Sequence, residues 1–156
     1  EPMGIYSHKI KKLDELKDGD KVAISNNTAD STRSINLLEK AGIIKAKDGE
    51  YKSPHDIVQN PKNLKFIEME SAQTPRALDE VAIAFININY ALDVGLKPTQ
   101  DALLLEGKDS PYTNYVAVKA GNENLPKIKA LDKAILSPEV KKFIEDRYKG
   151  AVIPSF

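Results

Sequence analysis

Residues 79–87 read D-E-V-A-I-A-F-I-N: an acidic pair, an unbroken apolar run over 81–86, and an asparagine. Six apolar residues are too few for an ordinary helix and show no polar alternation, so they predict a strand buried on both faces. Such a strand belongs at the centre of an open α/β sheet with cover on each side. The neighbouring segments fit this. Residues 72–78 predict a short helix, with Pro75 tolerable only in its first turn. Residues 64–69 roughly alternate apolar and polar side chains, as a half-buried strand does. Ser53 and Pro54 read as the N-cap and first position of a helix through Ile57 and Val58, ended by Asn60-Pro61.

Further upstream, the short apolar run at 21–24 closes on S-N-N-T (25–28), a buried strand entering a loop. Asp30 or Ser31 can then cap a helix whose apolar positions Ile35, Leu37, Leu38 and Ala41 share one face, with Gly42 as the stop. Lys11 to Leu16 reads as one helical turn. Downstream of the central strand, residues 89–95 predict another short helix, and residues 102–105 and 112–118 two extended segments. Two amphipathic helices are expected at the end, over 124–136 and 138–148. Ser137-Pro138-Glu139 supplies an N-cap, a proline at N1 and an acid at N2 of the second. Lys141, Lys142, Glu145, Asp146 and Arg147 are read as a solvated face.

Composition removes several function classes. The chain has 156 residues with 23 basic and 23 acidic side chains, and a net charge of zero gives no electrostatic case for nucleic acid or an anionic membrane surface. The absence of cysteine excludes disulfides, a thiolate nucleophile and Cys-ligated metal. No apolar run approaches the roughly 20 residues of a membrane helix. The first residue is Glu1 and no signal segment is visible, so the chain is read as a processed product or a fragment.

Catalytic constellations are missing. His8 and His55 have no partner suggested by spacing, no H-E-x-x-H, G-x-S-x-G or Gly-rich phosphate loop occurs, and the D-G-D at 18–20 lacks calcium-loop spacing. An enzyme is disfavoured, with no catalytic residue, metal or cofactor expected. What the pattern offers is polar side chains at the carboxyl ends of predicted strands, where open α/β sheets present ligands. Asn26 and Asn27 follow the first strand, Asn87 and Asn89 follow the most buried one, and Asn114 lies in the segment after S-P-Y. Arg33 falls in the first turn of the predicted helix, where the macrodipole disfavours a cation and an anion partner is expected. A ligand carboxylate would supply that anion; pairing with Asp30 is the alternative. Asn87, carried inward by an apolar strand, can accept from an ammonium and donate to a carboxylate, or simply close the strand. Asn89 suits the cap of the following helix better.

These residues also carry a family resemblance. The stretches E-P-M-G-I-Y-S (1–7), L-D-E-L-K-D-G (13–19), N-P-K-N-L-K-F-I-E (60–68), A-Q-T-P-R-A-L-D-E (72–80), I-N-I-N-Y-A (86–91), G-K-D-S-P-Y-T-N (107–114) and S-P-E-V-K-K-F-I-E-D-R-Y-K-G-A-V-I-P-S-F (137–156) resemble the NlpA-type methionine-binding lipoproteins, the substrate-binding proteins of methionine ABC importers. The resemblance implies an α/β, periplasmic-binding-protein-like (type II) two-lobe fold, present here as one nearly complete lobe plus the C-terminal part of the other. Residues 1–7 would be a first crossover, 8–104 the second lobe, 105–111 a second crossover region, and 112–156 the return to the first lobe with two C-terminal helices. Arg33 matches the arginine that grips the ligand carboxylate; Asn87 and Asn114 match asparagines that contact the ligand backbone. The implied function is binding methionine, or a short methionine-containing peptide, on the extracytoplasmic face of the membrane for delivery to an ABC permease. The lipid anchor would lie upstream of Glu1. A ligand-sensing effector domain of a regulator with the same two-lobe fold is the alternative.

Overall fold

The computed structural model describes every residue except Lys108 and Asp109. The chain divides into two compact units, Met3–Glu106 and Glu1–Pro2 with Gly107–Phe156. The expected second crossover, 105–111, includes Lys108 and Asp109, and to that extent lies outside the described residues.

In the unit Met3–Glu106 the apolar run becomes strand β6 (Ile83–Asn87), the middle of a five-stranded sheet. The other strands are β1 (Met3–Tyr6), β2 (Lys21–Ser25), β5 (Lys65–Met69) and β7 (Leu104–Leu105), in the order β5-β2-β6-β1-β7. Strands β5, β2 and β6 run parallel, whereas β1 pairs antiparallel with both β6 and β7, so the sheet is mixed. Residues 1–7 thus contribute a sheet strand. A separate antiparallel pair joins β3 (Lys45–Ala46) to β4 (Ile57–Gln59).

The two-faced burial of β6 divides its side chains by the pleat. Ile83 and Phe85 join Met3, Ile5, Val22, Ile24, Ile35 and Leu38 on one face. Ala84 and Ile86 join Tyr6, Ala23, Ala77, Leu78 and Ala91 on the other. The first face is covered by α1 (Thr28–Lys40). The second is covered by a 3₁₀ segment (Ser71–Asp79) and α2 (Ile88–Asp93).

Several local expectations are corrected. Helix α1 starts at Thr28 with Asn27 as N-cap, its side chain accepting from the N–H groups of Ala29 and Asp30, rather than at Asp30 or Ser31. Residues 53–58 do not form a continuous helix. Asp56 Oδ2 accepts from both the Ser53 N–H and the Ser53 hydroxyl, which closes a single 3₁₀ turn, Pro54–Asp56. Ile57 is then released to pair with Ala46. Residues 71–79 are 3₁₀ throughout, so Pro75 sits inside the segment rather than in the first turn of an α-helix. Asn87, not Asn89, occupies the N-cap position of α2. A four-residue helix, α3 (Pro98–Asp101), precedes β7.

In the unit Glu1–Pro2 with Gly107–Phe156, the described part of residues 112–118 enters no strand ladder, since a strand needs a partner and none of the described residues supplies one. The two tail helices form as expected, α4 (Pro126–Ile135) and α5 (Pro138–Tyr148), with Ser137 Oγ accepting from the Val140 N–H. Lys141, Lys142, Glu145, Asp146 and Arg147 are exposed. Among the described residues, Pro2 and Ala151 alone are buried in this unit, while Tyr115, Leu136 and Phe143 stand exposed. No helix among the described residues is long and apolar enough to cross a membrane.

Two outcomes follow from the packing of the sheet unit. Phe85 is 2% exposed at the centre of the first face, so Phe85→Ala is expected to destabilise this unit by about 3–5 kcal/mol in urea denaturation. Glu39 on α1 is the second case. Burial raises its pKa, but the Lys52 ammonium at 2.6 Å and the Ala46 N–H at 2.8 Å outweigh burial and hold it below its ordinary value. A depressed folded-state pKa contributes stability above the unfolded value and loses it as pH falls through the folded one. Glu39→Gln is therefore expected to flatten the acid limb of the urea midpoint against pH; parallel curves for the two proteins would show that the pair contributes nothing.

Candidate functional site

At the carboxyl end of β2, Ser25 is buried and its Oγ accepts from the Asn27 N–H at 3.0 Å. That bond turns the chain out of the sheet, and the Asn27 side chain then starts α1. In the first turn of the helix stands Asp30, whose backbone N–H is held by Asn27 Oδ1 at 3.2 Å. The Asp30 carboxylate faces the sheet end: Oδ2 accepts from Ser71 Oγ at 2.9 Å and from Asn87 Nδ2 at 3.1 Å. Ser71 Oγ in turn lies 2.7 Å from Ser25 Oγ. Because an ionised carboxylate can only accept, Ser71 donates to Asp30, and the Ser25 hydroxyl donates to Ser71.

Asn87 ends β6 and occupies the N-cap position of α2, yet its side chain makes no cap bond and reaches Asp30 instead. Donation from Nδ2 fixes the carboxamide, which leaves Oδ1 as its accepting face. Asn89, inside α2, and Asn26, whose Nδ2 donates to Glu70 at 3.3 Å, are exposed and stand apart from this network.

Arg33 is the sixth residue of α1, one turn deeper than expected, and the influence of the helix terminus fades beyond the first turn. The anion expected beside it is present for a different reason. Its side chain is only 11% exposed, and a charge taken so far out of water needs a partner. Glu106 provides one as a bidentate fork, Nε to Oε1 at 3.0 Å and Nη2 to Oε2 at 2.5 Å. Asp30 Oδ1 adds a longer contact to Nη1 at 3.5 Å. Asp30 thus joins Arg33 and Asn87 into one polar cluster: Arg33 pairs with Asp30, as one of the readings offered for it has it, and lies among carboxylates near the carboxyl ends of β2 and β6. The alternative for Asn87, closing the strand, is met by its place at N-cap but not by its side chain.

Asn114 belongs to the other unit, where it is exposed and lines a cavity of about 590 Å³ with Tyr112, Ile135, Leu136 and Phe156. Glu106 and Ser71 are the members of the network that sequence reasoning missed. Glu106 is separated from Arg33 by 73 positions, and nothing in local periodicity connects them. His8 Nδ1 lies 2.7 Å from Asp79 Oδ1 in an exposed pair, and His55 is exposed. Among the described residues no group of three or more His, Cys, Asp or Glu side chains is arranged to hold a metal.

Known proteins match this chain along its length. The sequence model of the NlpA lipoprotein family matches residues 1–156. The chain is 44% identical to the D-methionine-binding lipoprotein MetQ of Salmonella typhi, with 97% of this chain and 58% of the relative covered. It is 42% identical to the protein of the same name from Escherichia coli K12, with the same coverage. A nutrient binding protein from Burkholderia cenocepacia, solved bound to methionine, superposes with a TM-score of 0.94 at 44% identity, covering 99% of this chain and 66% of that one. A putative methionine-binding lipoprotein from Bacillus subtilis superposes with a TM-score of 0.92 at 41% identity, covering 99% and 65%. The chain therefore spans somewhat more than half the length of the curated relatives, and its mixed α/β fold matches binding-protein structures over part of theirs. A family match across all 156 residues, on a sheet whose ends carry this polar cluster, makes the chain a member of the NlpA lipoprotein family.

Proposed function

We propose that this chain is part of a methionine-binding protein of an ABC importer, acting outside the cytoplasm and held at the membrane by a lipid anchor. In this reading the fold is the two-lobed, type II periplasmic-binding-protein architecture. Residues 8–104 form the second lobe, 1–7 and 105–111 carry the crossovers, and 112–156 return to the first lobe. The division of the chain into two compact units, with passages between Pro2 and Met3 and between Glu106 and Gly107, supports this architecture. So does the sparse burial of the unit Glu1–Pro2 with Gly107–Phe156, whose exposed Tyr115, Leu136 and Phe143 are what a partial lobe presents.

The observation that carries the functional reading is the Arg33–Asp30–Asn87 cluster at the carboxyl ends of the adjacent parallel strands β2 and β6. Open α/β sheets bind their ligands there. A guanidinium and a carboxamide acceptor suit the carboxylate and ammonium of an amino acid, respectively. The ligand is methionine or a short peptide containing it, with the MetQ relatives and the methionine-bound Burkholderia structure as support. Arg33 anchors the carboxylate, Asn87 accepts from the ammonium, and Asn114 adds a polar contact. Nothing in this cycle requires a covalent step or a cofactor.

Two measurements test it. In calorimetry on the full-length protein with L- and D-methionine, Arg33→Ala is expected to weaken binding of the preferred ligand by about 2 kcal/mol or more, as loss of one member of a desolvated charge pair does. Unchanged affinity removes Arg33 from the site. Asn114→Ala is expected to cost about 1 kcal/mol, the net worth of one hydrogen bond, with the fold unaltered because the side chain is exposed. An affinity equal to that of the unmodified protein assigns Asn114 to the surface.

A further inference from the structure

Among the described residues, Glu106 is the more firmly fixed of the carboxylates that meet Arg33, Asp30 being the other. Its Oε2 accepts from the backbone N–H of Met3 at 2.8 Å as well as from Arg33 Nη2, and Oε1 accepts from Arg33 Nε. Its own N–H donates to the Met3 carbonyl at 2.9 Å, and its side chain is 8% exposed. Three N–H donors therefore converge on two oxygens, and the carboxylate is tied through the backbone at both of its ends. Asp30 meets the guanidinium at 3.5 Å, near the limit of an ion pair, with its other oxygen engaged by Ser71 and Asn87.

A guanidinium offers two edges for bidentate pairing, the side edge of Nε with one Nη and the tip of both Nη atoms. Glu106 holds the side edge of Arg33. We propose that Glu106 is a positioning residue for ligand recognition: it locks the plane and direction of the Arg33 guanidinium, so that a ligand carboxylate pairs end-on at the tip, in exchange with contacts the tip makes within the chain, Asp30 among them. This rests on the reading of Arg33 as the carboxylate anchor. Met3 and Glu106 are also the first and last residues of their unit, where the chain passes to the other one. The same carboxylate thus references the guanidinium to both passages.

Glutamate suits this role in a way that its nearest replacements do not. Glutamine must turn an NH₂ group against one of the three converging donors. Aspartate keeps the charge, but its shorter side chain cannot reach both the Met3 N–H and the whole side edge of Arg33.

The test compares methionine with methionine amide, whose carboxylate is replaced by a neutral group, by calorimetry on the full-length protein and its E106Q and R33A variants. The unmodified protein is expected to prefer the acid, and R33A to abolish that preference. E106Q is expected to weaken the acid by about tenfold or more while changing the amide far less, since the loss falls on hydrogen bonds to a charged group. A merely structural role for Glu106 would weaken acid and amide alike, and that outcome, or no change in either, overturns the proposal. If E106Q does not fold, E106D replaces it with the same expectation of a narrowed acid-over-amide preference; a full preference in E106D overturns the proposal. Should R33A keep the preference, the anchor reading fails and takes the Glu106 proposal with it. A collapsed preference in R33A beside an intact one in E106Q sinks the Glu106 proposal alone.

Discussion

Burial of β6 on both faces is the constraint from which the rest of the sheet unit follows. A strand with Ile83 and Phe85 on one side and Ala84 and Ile86 on the other leaves neither face for water, so each must be covered by an element that the chain supplies nearby. Helix α1 covers one face and the Ser71–Asp79 segment with α2 the other. Both covers begin at the carboxyl ends of strands, as short connections between adjacent elements require. The polar residues that manage those turns, Ser25, Asn27, Ser71 and Asn87, are consequently gathered at one end of the sheet. The candidate site is a consequence of how the core is covered.

That gathering also explains the charges. Ser71 and Asn87 bring hydrogen-bond donors to the place where α1 presents Asp30, and a carboxylate receiving two such bonds can remain only 14% exposed. One turn on, Arg33 follows on the same side of the helix. Its guanidinium is tolerated because the chain returns through β7 and delivers Glu106 to it. Antiparallel pairing of β7 with β1 sets that return, since Leu104 and Leu105 lie opposite Ile5 and Gly4 and so carry Glu106 to Met3. Close approach is helped by Gly4, where an added Cβ would stand 2.9 Å from Leu105 and 2.7 Å from the Tyr6 ring.

What was legible in the sequence depended on how local the cause was. The continuous apolar run at 81–86 and the Ser-Pro-Glu start of α5 carry their own explanation within a few residues, and both elements formed. Boundaries slipped where two cap residues competed. Asn27 captured α1 a turn before Asp30, because its Oδ1 reaches two backbone N–H groups, which moved Arg33 out of the first turn. At 53–58 the Ser53–Asp56 bonds favoured one tight turn, and pairing of Ile57 with Ala46 then outweighed helical propensity. Arg33 and Asn87 could be named as polar residues at strand ends, but that Asp30 joins them follows from side-chain reach. Glu106 was beyond local reasoning altogether, since only the register of β7 on β1 brings it to Arg33.

The balance of charge in the cluster bears on the kind of molecule it suits. Among the described residues two carboxylates, Asp30 and Glu106, flank the Arg33 guanidinium, so a bare anion arriving there would add a further negative group to a poorly solvated place. A zwitterion brings its own compensation. Its ammonium can approach Asn87 Oδ1 and the neighbouring Asp30 while its carboxylate pairs with Arg33, and the added charges then alternate in sign across the site. Most of the desolvation of Arg33 has already occurred during folding, with Glu106 as its partner, so a ligand bound as proposed would not have to strip water from that guanidinium. Affinity in such a site comes from orientation more than from net attraction, and orientation is what a carboxylate anchored to Met3 can hold constant. The overall neutrality of the chain is consistent with this, because a ligand without net charge gains nothing from long-range steering. In the proposed reading, discrimination would rest on whether both ends of an amino acid's backbone are met at once by Arg33 on α1 and Asn87 at the end of β6.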